Sequence, residues 1–282
     1  MEALRFEQLG TLSHPQRMEL FRLLMRRYPD ALPAGEITEV LGLKPSTASV
    51  YLSTLREAGL ITQTRVGRSL LYRANIAALR GLVGFLFNDC CRGRPDLCPP
   101  EALASQQGGP AMSDGKYNVL FICTGNSARS IIAETLLREL AGDRFNAFSA
   151  GTRPYSELNP IALATLRDKG FKTGGLRAKN ISEFQAHDAP KMDFVFTVCD
   201  RAANEDCPAW AGQPISAHWG LPDPVKATGT EAEKSLAFQQ VYGMLKHRLS
   251  AFTALPIEAL DRISLQQAVD KIGQTETEDL AG

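Results

Sequence analysis

The sequence predicts a two-domain protein: a small, mostly helical domain with a β-hairpin, followed by an α/β domain built on a parallel sheet. Three observations carry that expectation. From Gly93 to Gly115 the chain is rich in Pro, Gly, Gln and Ser, with Pro99-Pro100 and Gln106-Gln107-Gly108-Gly109-Pro110, which marks an exposed linker. Before it, apolar residues recur mainly at helical spacing. After it, apolar runs such as Tyr117–Ile122 and Phe194–Val198 alternate with helical patterns. The expected divisions are residues 1–95, a linker at 96–115, a second domain at 116–262 and a polar tail at 263–282.

At 282 residues the chain has room for about two domains. Its apolar content is 44%, and no run approaches the ~20 apolar residues that span a bilayer. The start, Met1-Glu2-Ala3-Leu4-Arg5, lacks the basic-then-apolar pattern of a signal peptide. A cytoplasmic protein with no membrane partner is expected. In that setting six cysteines point to catalysis, redox chemistry or metal binding rather than to structural disulfides. Charge is balanced overall, 31 Lys and Arg against 31 Asp and Glu, but unevenly spread. Residues 1–95 hold 13 Lys and Arg against 8 Asp and Glu, a net of +5, which leaves −5 for the remainder. A basic first part suits nucleic acid; the acidic second part implies another task.

In the first domain, His14 to Tyr28 carries Met18, Phe21, Leu24 and Met25 at helical spacing, opened by Ser13 and Pro15. A second helix spans Pro33 to Leu41 and ends at Gly42. A third starts at Pro45, with Ser46, Thr47 and Ser49 exposed and Val50, Leu52 and Leu55 turned inward. Two helices across so brief a turn make a helix-turn-helix. Leu60–Arg65 and Ser69–Arg73 then flank Val66-Gly67-Arg68, a hairpin with a basic tip that reads as a wing. Lys44, Ser46, Thr47, Ser49, Tyr51 and Arg56 are the expected DNA-facing residues of the helix-turn-helix, with major-groove contact by the later ones. Arg65 and Arg68 would touch phosphate or the minor groove. A helical domain with solvated charges is the competing reading, and the basic wing favours DNA.

The string KPSTASVYLSTLREAGLI, with the basic hairpin after it, resembles the ArsR/SmtB family of winged-helix repressors over residues 4–92. The resemblance implies a homodimer that binds a palindromic operator and leaves it when a metal or metalloid binds. Dimer contacts would come from the first and last helices. The last is expected at Ile76 to Asp89, with Leu79, Leu82, Val83, Leu86 and Phe87 as its apolar face. Cys90, Cys91 and Cys98 follow within nine residues, and three thiols can converge on one soft ion. Trivalent arsenic or antimony fits that count, whereas zinc wants a fourth ligand. Many members of the family carry thiols on the helix-turn-helix itself, but this chain has no cysteine before Cys90. It is similar instead to arsenite sensors with a C-terminal cysteine cluster, which makes arsenite the expected ligand.

In the second domain, Cys123 to Ser130 reads C-T-G-N-S-A-R-S, between an apolar run and a helix-like segment. A strand delivers the cysteine, and the loop turns into a helix whose first N–H groups lack intrahelical partners. Those groups and the helix dipole make an anion site, formed by Thr124, Gly125, Asn126, Ser127, Ala128, Arg129 and Ser130. The same field is expected to favour a Cys123 thiolate at neutral pH. Arg129 can grip two oxygens of a tetrahedral oxyanion with its planar fork. Cys199 follows the apolar run Phe194–Val198 and so faces the same rim as Cys123. Cys207 lies eight residues later. A phosphatase needs one thiol, whereas a reductase can supply two electrons through a chain of thiols.

The motifs VLFICTGNSARSIIAE, FSAGT, FTVCDRAANEDCP and HWGLPDP, in this order over residues 116–262, are similar to the low-molecular-weight tyrosine phosphatase fold as used by thioredoxin-coupled arsenate reductases. The resemblance implies that Cys123 attacks arsenate, that Asp223 protonates the leaving hydroxyl, and that Cys199 attacks the Cys123 sulfur to release arsenite. Cys207 would then form a Cys199–Cys207 disulfide, reduced by thioredoxin or another thiol reductant. Asn126 and Ser130 would hold the loop and stabilise the thiolate. No cofactor is needed for the step. Some members bind potassium near the loop, a pattern that Asn126, Glu134 and Ser149 match in part.

The chain departs from the family in places. Ala128 stands where cysteine is frequent. Asp223-Pro224-Val225 replaces the phosphatases' Asp-Pro-Tyr and removes an aromatic that flanks aryl substrates. The gap from Cys199 to Cys207 is one residue longer than in the best-known reductases. The leading expectation is an arsenite-responsive repressor fused to an arsenate reductase. A phosphatase fused to a DNA-binding regulator, and a transcription factor whose second domain only senses oxyanion or redox state, remain open at this point.

Overall fold

The computed structural model describes residues 2–90, 115–186, 188–205, 210 and 212–275. The chain divides into two compact units, residues 1–104 and 105–282. The first runs α1 (Glu2–Leu12), α2 (Pro15–Arg26), β1 (Leu32–Pro33), α3 (Ala34–Leu41), α4 (Pro45–Glu57), β2 (Ile61–Val66), β3 (Ser69–Ala74) and α5 (Ile76–Phe85). Pro15 and Pro45 sit in the first turns of α2 and α4, where a missing N–H costs no helical hydrogen bond. Gly42 closes α3 at φ 61°, a left-handed position that turns the chain directly toward α4.

Leu20, Leu23, Leu24, Ile37, Leu52 and Leu55 meet in one core beneath the hairpin. The inward stripe of α4 is Ala48, Leu52 and Leu55. Val50, expected inward, is 61% exposed. It lies two residues from both Ala48 and Leu52, roughly 200° around the helix, so it cannot share their face. The hairpin pairs Ile61 with Ala74 through to Val66 with Ser69, and β1 adds a short third strand that pairs Leu32 with Tyr72. Regular α-helix ends at Phe85, short of the expected Asp89, and the turn from Leu86 to Cys90 widens to π-helical geometry.

The second unit runs β4 (Tyr117–Cys123), α6 (Arg129–Ala141), β5 (Phe145–Gly151), α7 (Pro160–Asp168), β6 (Phe194–Thr197), α8 (Asp200–Asn204), β7 (Ile215–His218), α9 (Glu231–Thr253) and α10 (Arg262–Gln274). Its four strands lie in the order β5-β4-β6-β7, all parallel. Every residue of β4 is buried, as expected of a parallel strand covered on both faces. Phe196 stacks on Trp219 with ring centroids 4.1 Å apart, and Phe252 of α9 closes over both. Cys123 ends β4 and Cys199 follows β6, so both thiols reach the C-terminal rim of the sheet.

Residues 263–274, expected to begin a polar tail, belong instead to α10, and residues 276–282 lie outside the described residues. Leu265, Val269 and Ile272 are buried one above another on α10, and Trp219 Nε1 donates to the Val269 carbonyl at 3.0 Å. The segment is polar on average but apolar along one stripe, which average polarity conceals. Leu265→Ala should therefore cost about 3 kcal/mol, read as a lower urea midpoint. An unchanged midpoint would mean that α10 contributes nothing. No helix among the described residues is long and apolar enough to cross a membrane.

Candidate active site

The loop from Thr124 to Ala128 is held by its carbonyls. The carbonyls of Cys123, Thr124, Gly125 and Ser127 accept from the backbone N–H groups of Thr152, Arg153, Tyr155 and Asn159, at 2.9–3.1 Å. Peptide planes are rigid, so carbonyls tied outward turn the next N–H groups inward. The Asn126 N–H does point inward, donating to Cys123 Sγ at 3.1 Å. Close approach of the two segments demands Gly151: a Cβ there would lie 2.7 Å from the Thr124 carbonyl oxygen.

Asn126 is fully buried at φ 45° and locks the loop. Its amide Nδ2 donates to Ser130 Oγ and Ser149 Oγ, both at 2.9 Å, while Oδ1 accepts from the Lys179 backbone N–H at 2.7 Å. Ser130 Oγ lies 2.9 Å from Cys123 Sγ. Burial pushes the Cys123 thiol up from its ordinary value, and the nearby Cys199 adds to this, while the Ser130 hydrogen bond and the Arg129 charge pull it down. The expectation of a thiolate from the anion field alone omitted the cost of removing the sulfur from water. Cys123 alkylation should rise with pH through a midpoint above that of an ordinary thiol. Ser130→Ala should move the midpoint higher still, which iodoacetamide rates against pH will measure; a downward move would reverse the assigned role of the hydroxyl.

Arg129 opens α6 and reaches across the rim. Its guanidinium donates to the Leu221 carbonyl at 3.0 Å and pairs with Asp223 Oδ2 at 3.2 Å. The expected anion grip and the expected acid therefore meet at one place. Val225 is 48% exposed, and its backbone N–H donates to Asp223 Oδ1 at 3.3 Å. Cys199 is buried at the start of α8, where its sulfur accepts from the Ala202 N–H at 3.4 Å. Thr124 Oγ1 lies 3.6 Å from Cys199 Sγ, so the second thiol touches the loop that holds the first. Cys207 lies outside the described residues.

The residues expected to match a potassium site do not fit a cation. The Glu134 carboxylate already pairs with the Lys179 ammonium at 2.9 Å and with Arg138, and it accepts from the Ser149 hydroxyl. Asn126 directs an N–H donor, not an oxygen, toward Ser149. Lys179 had no local signal in the sequence, because its partner Glu134 is 45 residues away.

On the winged helix, Lys44, Ser46, Ser49, Arg56, Arg65 and Arg68 are exposed, and Thr47 is half-buried. Tyr51 is less available than expected. Its hydroxyl donates to Gln16 Oε1 at 2.6 Å and its ring lies against His14, bracing α4 on the start of α2. Arg56 bonds Gln63 of β2 at 2.7 Å, tying α4 to the hairpin. Cys90 is exposed; Cys91 and Cys98 lie outside the described residues. No cluster of metal-ligating side chains occurs among the described residues.

Residues 118–266 match the family model of the low molecular weight phosphotyrosine protein phosphatases, and residues 12–64 match that of a helix-turn-helix domain. An arsenate reductase of Bacillus licheniformis is 37% identical over 137 residues, covering 49% of this chain and 95% of its own. One from Bacillus subtilis is 35% identical over 134 residues, covering 48% and 93%. A solved structure of an arsenate reductase in the phosphate binding state is 28% identical, covers 48% of this chain and 94% of its own, and has a TM-score of 0.39.

Proposed function

The chain belongs to the low molecular weight phosphotyrosine protein phosphatase family, and from that premise we propose that its second unit reduces arsenate to arsenite with thiols. The observation that carries the reading is the second buried thiol: Cys199 Sγ lies 3.6 Å from the Thr124 hydroxyl of the oxyanion loop. A hydrolase has no use for it there. The arsenate reductases of Bacillus licheniformis and Bacillus subtilis, similar over about half of this chain, point to the same oxyanion.

Arsenate occupies the loop, bound by the inward N–H groups and Arg129. The Cys123 sulfur bonds to arsenic and an As–O bond breaks; the Asp223 carboxylate takes up the thiol proton and delivers it, as general acid, to the departing hydroxyl, which leaves as water. Asp223 is already within reach of Arg129, at 3.2 Å. The Cys199 sulfur then attacks the Cys123 sulfur. The S–S bond forms, the S–As bond breaks, and its electron pair stays on arsenic. Two thiols are oxidised and arsenic falls by two electrons to arsenite. Cys207 attacks Cys199, frees Cys123, and leaves a disulfide for thioredoxin or a similar dithiol. Lys179, held on Glu134, supplies beneath the loop the positive charge that a potassium ion would otherwise supply.

The first unit binds operator DNA through α4 and the wing, supported by the exposed Lys44, Ser46, Ser49, Arg65 and Arg68. It acts as a homodimer through α1 and α5, whose Phe6 and Val83 are exposed apolar side chains. Arsenite formed at Cys123 is the ligand of Cys90, Cys91 and Cys98 and lifts repression. The enzyme reading is tested by arsenate-dependent NADPH oxidation with thioredoxin and its reductase. Sustained turnover is expected; its absence with every dithiol tried would remove the reading. The sensor reading is tested by arsenite-induced release of operator DNA and its loss in Cys90→Ser.

A further inference from the structure

We propose that His218 is the positioning residue of the second thiol, clamping from both sides the turn that carries Cys199. The proposal rests on the reading of Cys199 as a relay thiol. His218 ends β7, where its register partner on β6 is Thr197. The ring is buried, its side chain 2% exposed. Nδ1 lies 2.8 Å from Thr197 Oγ1 and Nε2 lies 2.9 Å from Asp200 Oδ1. Thr197 stands two residues before Cys199, and Asp200 directly after it. An ionised carboxylate only accepts, so Nε2 carries a hydrogen and donates to Asp200. In the neutral ring Nδ1 then accepts from the Thr197 hydroxyl, and both nitrogens are satisfied.

The turn needs such a tie. Its last sheet anchor is the Val198 N–H, which donates to the Ile122 carbonyl at 2.8 Å. After it comes α8, only five residues long and too short to hold itself in water. Gly220 shows that the sequence makes room for the clamp. A Cβ there would lie 2.7 Å from His218 Nε2 and 3.0 Å from Asp200 Oδ1, so a larger residue would collide with the bonded pair. The clamp has a fixed arm and a yielding one. The Thr197 arm lies within the sheet register, whereas the Asp200 side chain is 63% exposed and competes with water for its hydrogen bond. The clamp keeps Cys199 beside Thr124 for attack on Cys123.

Because Asp200 is exposed, Asp200→Ala removes the yielding arm without emptying the core. Asn at 200 keeps an oxygen that can accept from Nε2. Two readouts are taken on the full chain: site-resolved iodoacetamide labelling of Cys199 and Cys123 in the resting protein, and steady-state arsenate reduction. Asp200→Ala should label at Cys199 roughly tenfold faster, with Cys123 unchanged, and should lose roughly tenfold in kcat at unchanged KM for arsenate. Asp200→Asn should recover most of both. Equal Cys199 labelling in wild type and Asp200→Ala, or an Asp200→Asn indistinguishable from Asp200→Ala, would overturn the clamp. Wild-type protein that fails to reduce arsenate would count against the proposed reaction, and the labelling comparison would still decide the clamp.

Discussion

Cys199→Ser is expected to end arsenate turnover, lowering it by roughly a thousandfold or more, the scale on which loss of a nucleophile acts. A serine hydroxyl in place of Cys199 cannot form the S–S bond that pushes electrons onto arsenic. The first half of the reaction needs only the loop, Cys123, Arg129 and Asp223, and all of these lie on other elements. Hydrolysis of an aryl phosphate should therefore survive in the variant at whatever rate the wild type shows. This separates a reductase from a phosphatase within one protein. Both activities falling together would mean that Cys199 supports the loop structurally. Arsenate turnover persisting would mean that the relay runs through another thiol.

The second large effect concerns the charge beneath the loop. Glu134 is buried and its carboxylate is held by Lys179, itself only 11% exposed in its side chain. Lys179→Met keeps the length of the chain and removes the charge. Oε2 of the buried carboxylate then keeps the Ser149 hydroxyl, and its charge is left to the partly exposed Arg138 on Oε1. Breaking such a pair costs about 3 kcal/mol, and the Asn126–Ser149–Glu134 scaffold that shapes the loop should loosen with it. Denaturant unfolding should show the loss, and arsenate KM should rise. A variant as stable as the wild type would mean that Arg138 suffices and that Lys179 is not the cation of this site.

Local chemistry was the legible part. The placement of Cys123 at the end of β4, of Arg129 at the start of α6 and of Asp223 before a short turn is legible because each stands in a short motif beside an element's end. The winged helix was legible because its turn, its prolines and its hairpin are all local signals. Contacts made by folding were not legible. Lys179 reaches Glu134 from 45 residues away, and His218 meets Asp200 and Thr197 across two strands. His218 did stand inside the motif HWGLPDP, but nothing in the string says which side chains its ring will meet. Val50 is apolar yet faces outward, because helical angle rather than apolar character decides which side of α4 is buried. The position of Tyr51 on α4 does not reveal that its hydroxyl bonds Gln16, 35 residues earlier. The stripe on α10 was diluted by Gln266, Gln267, Asp270 and Lys271, so its three buried residues read as tail.

The central claim is that arsenate is reduced by the chain's own thiols. Its most direct test is a single turnover without reductant. Fully reduced protein, carrying six thiols, is mixed with one equivalent of arsenate, and arsenite, free thiols and disulfides are measured together. Once acid has stripped arsenite from Cys90, Cys91 and Cys98, the account predicts one arsenite per chain, the loss of two thiols, and a disulfide joining Cys199 to Cys207 with Cys123 again free. Six thiols intact and arsenate unchanged would contradict it.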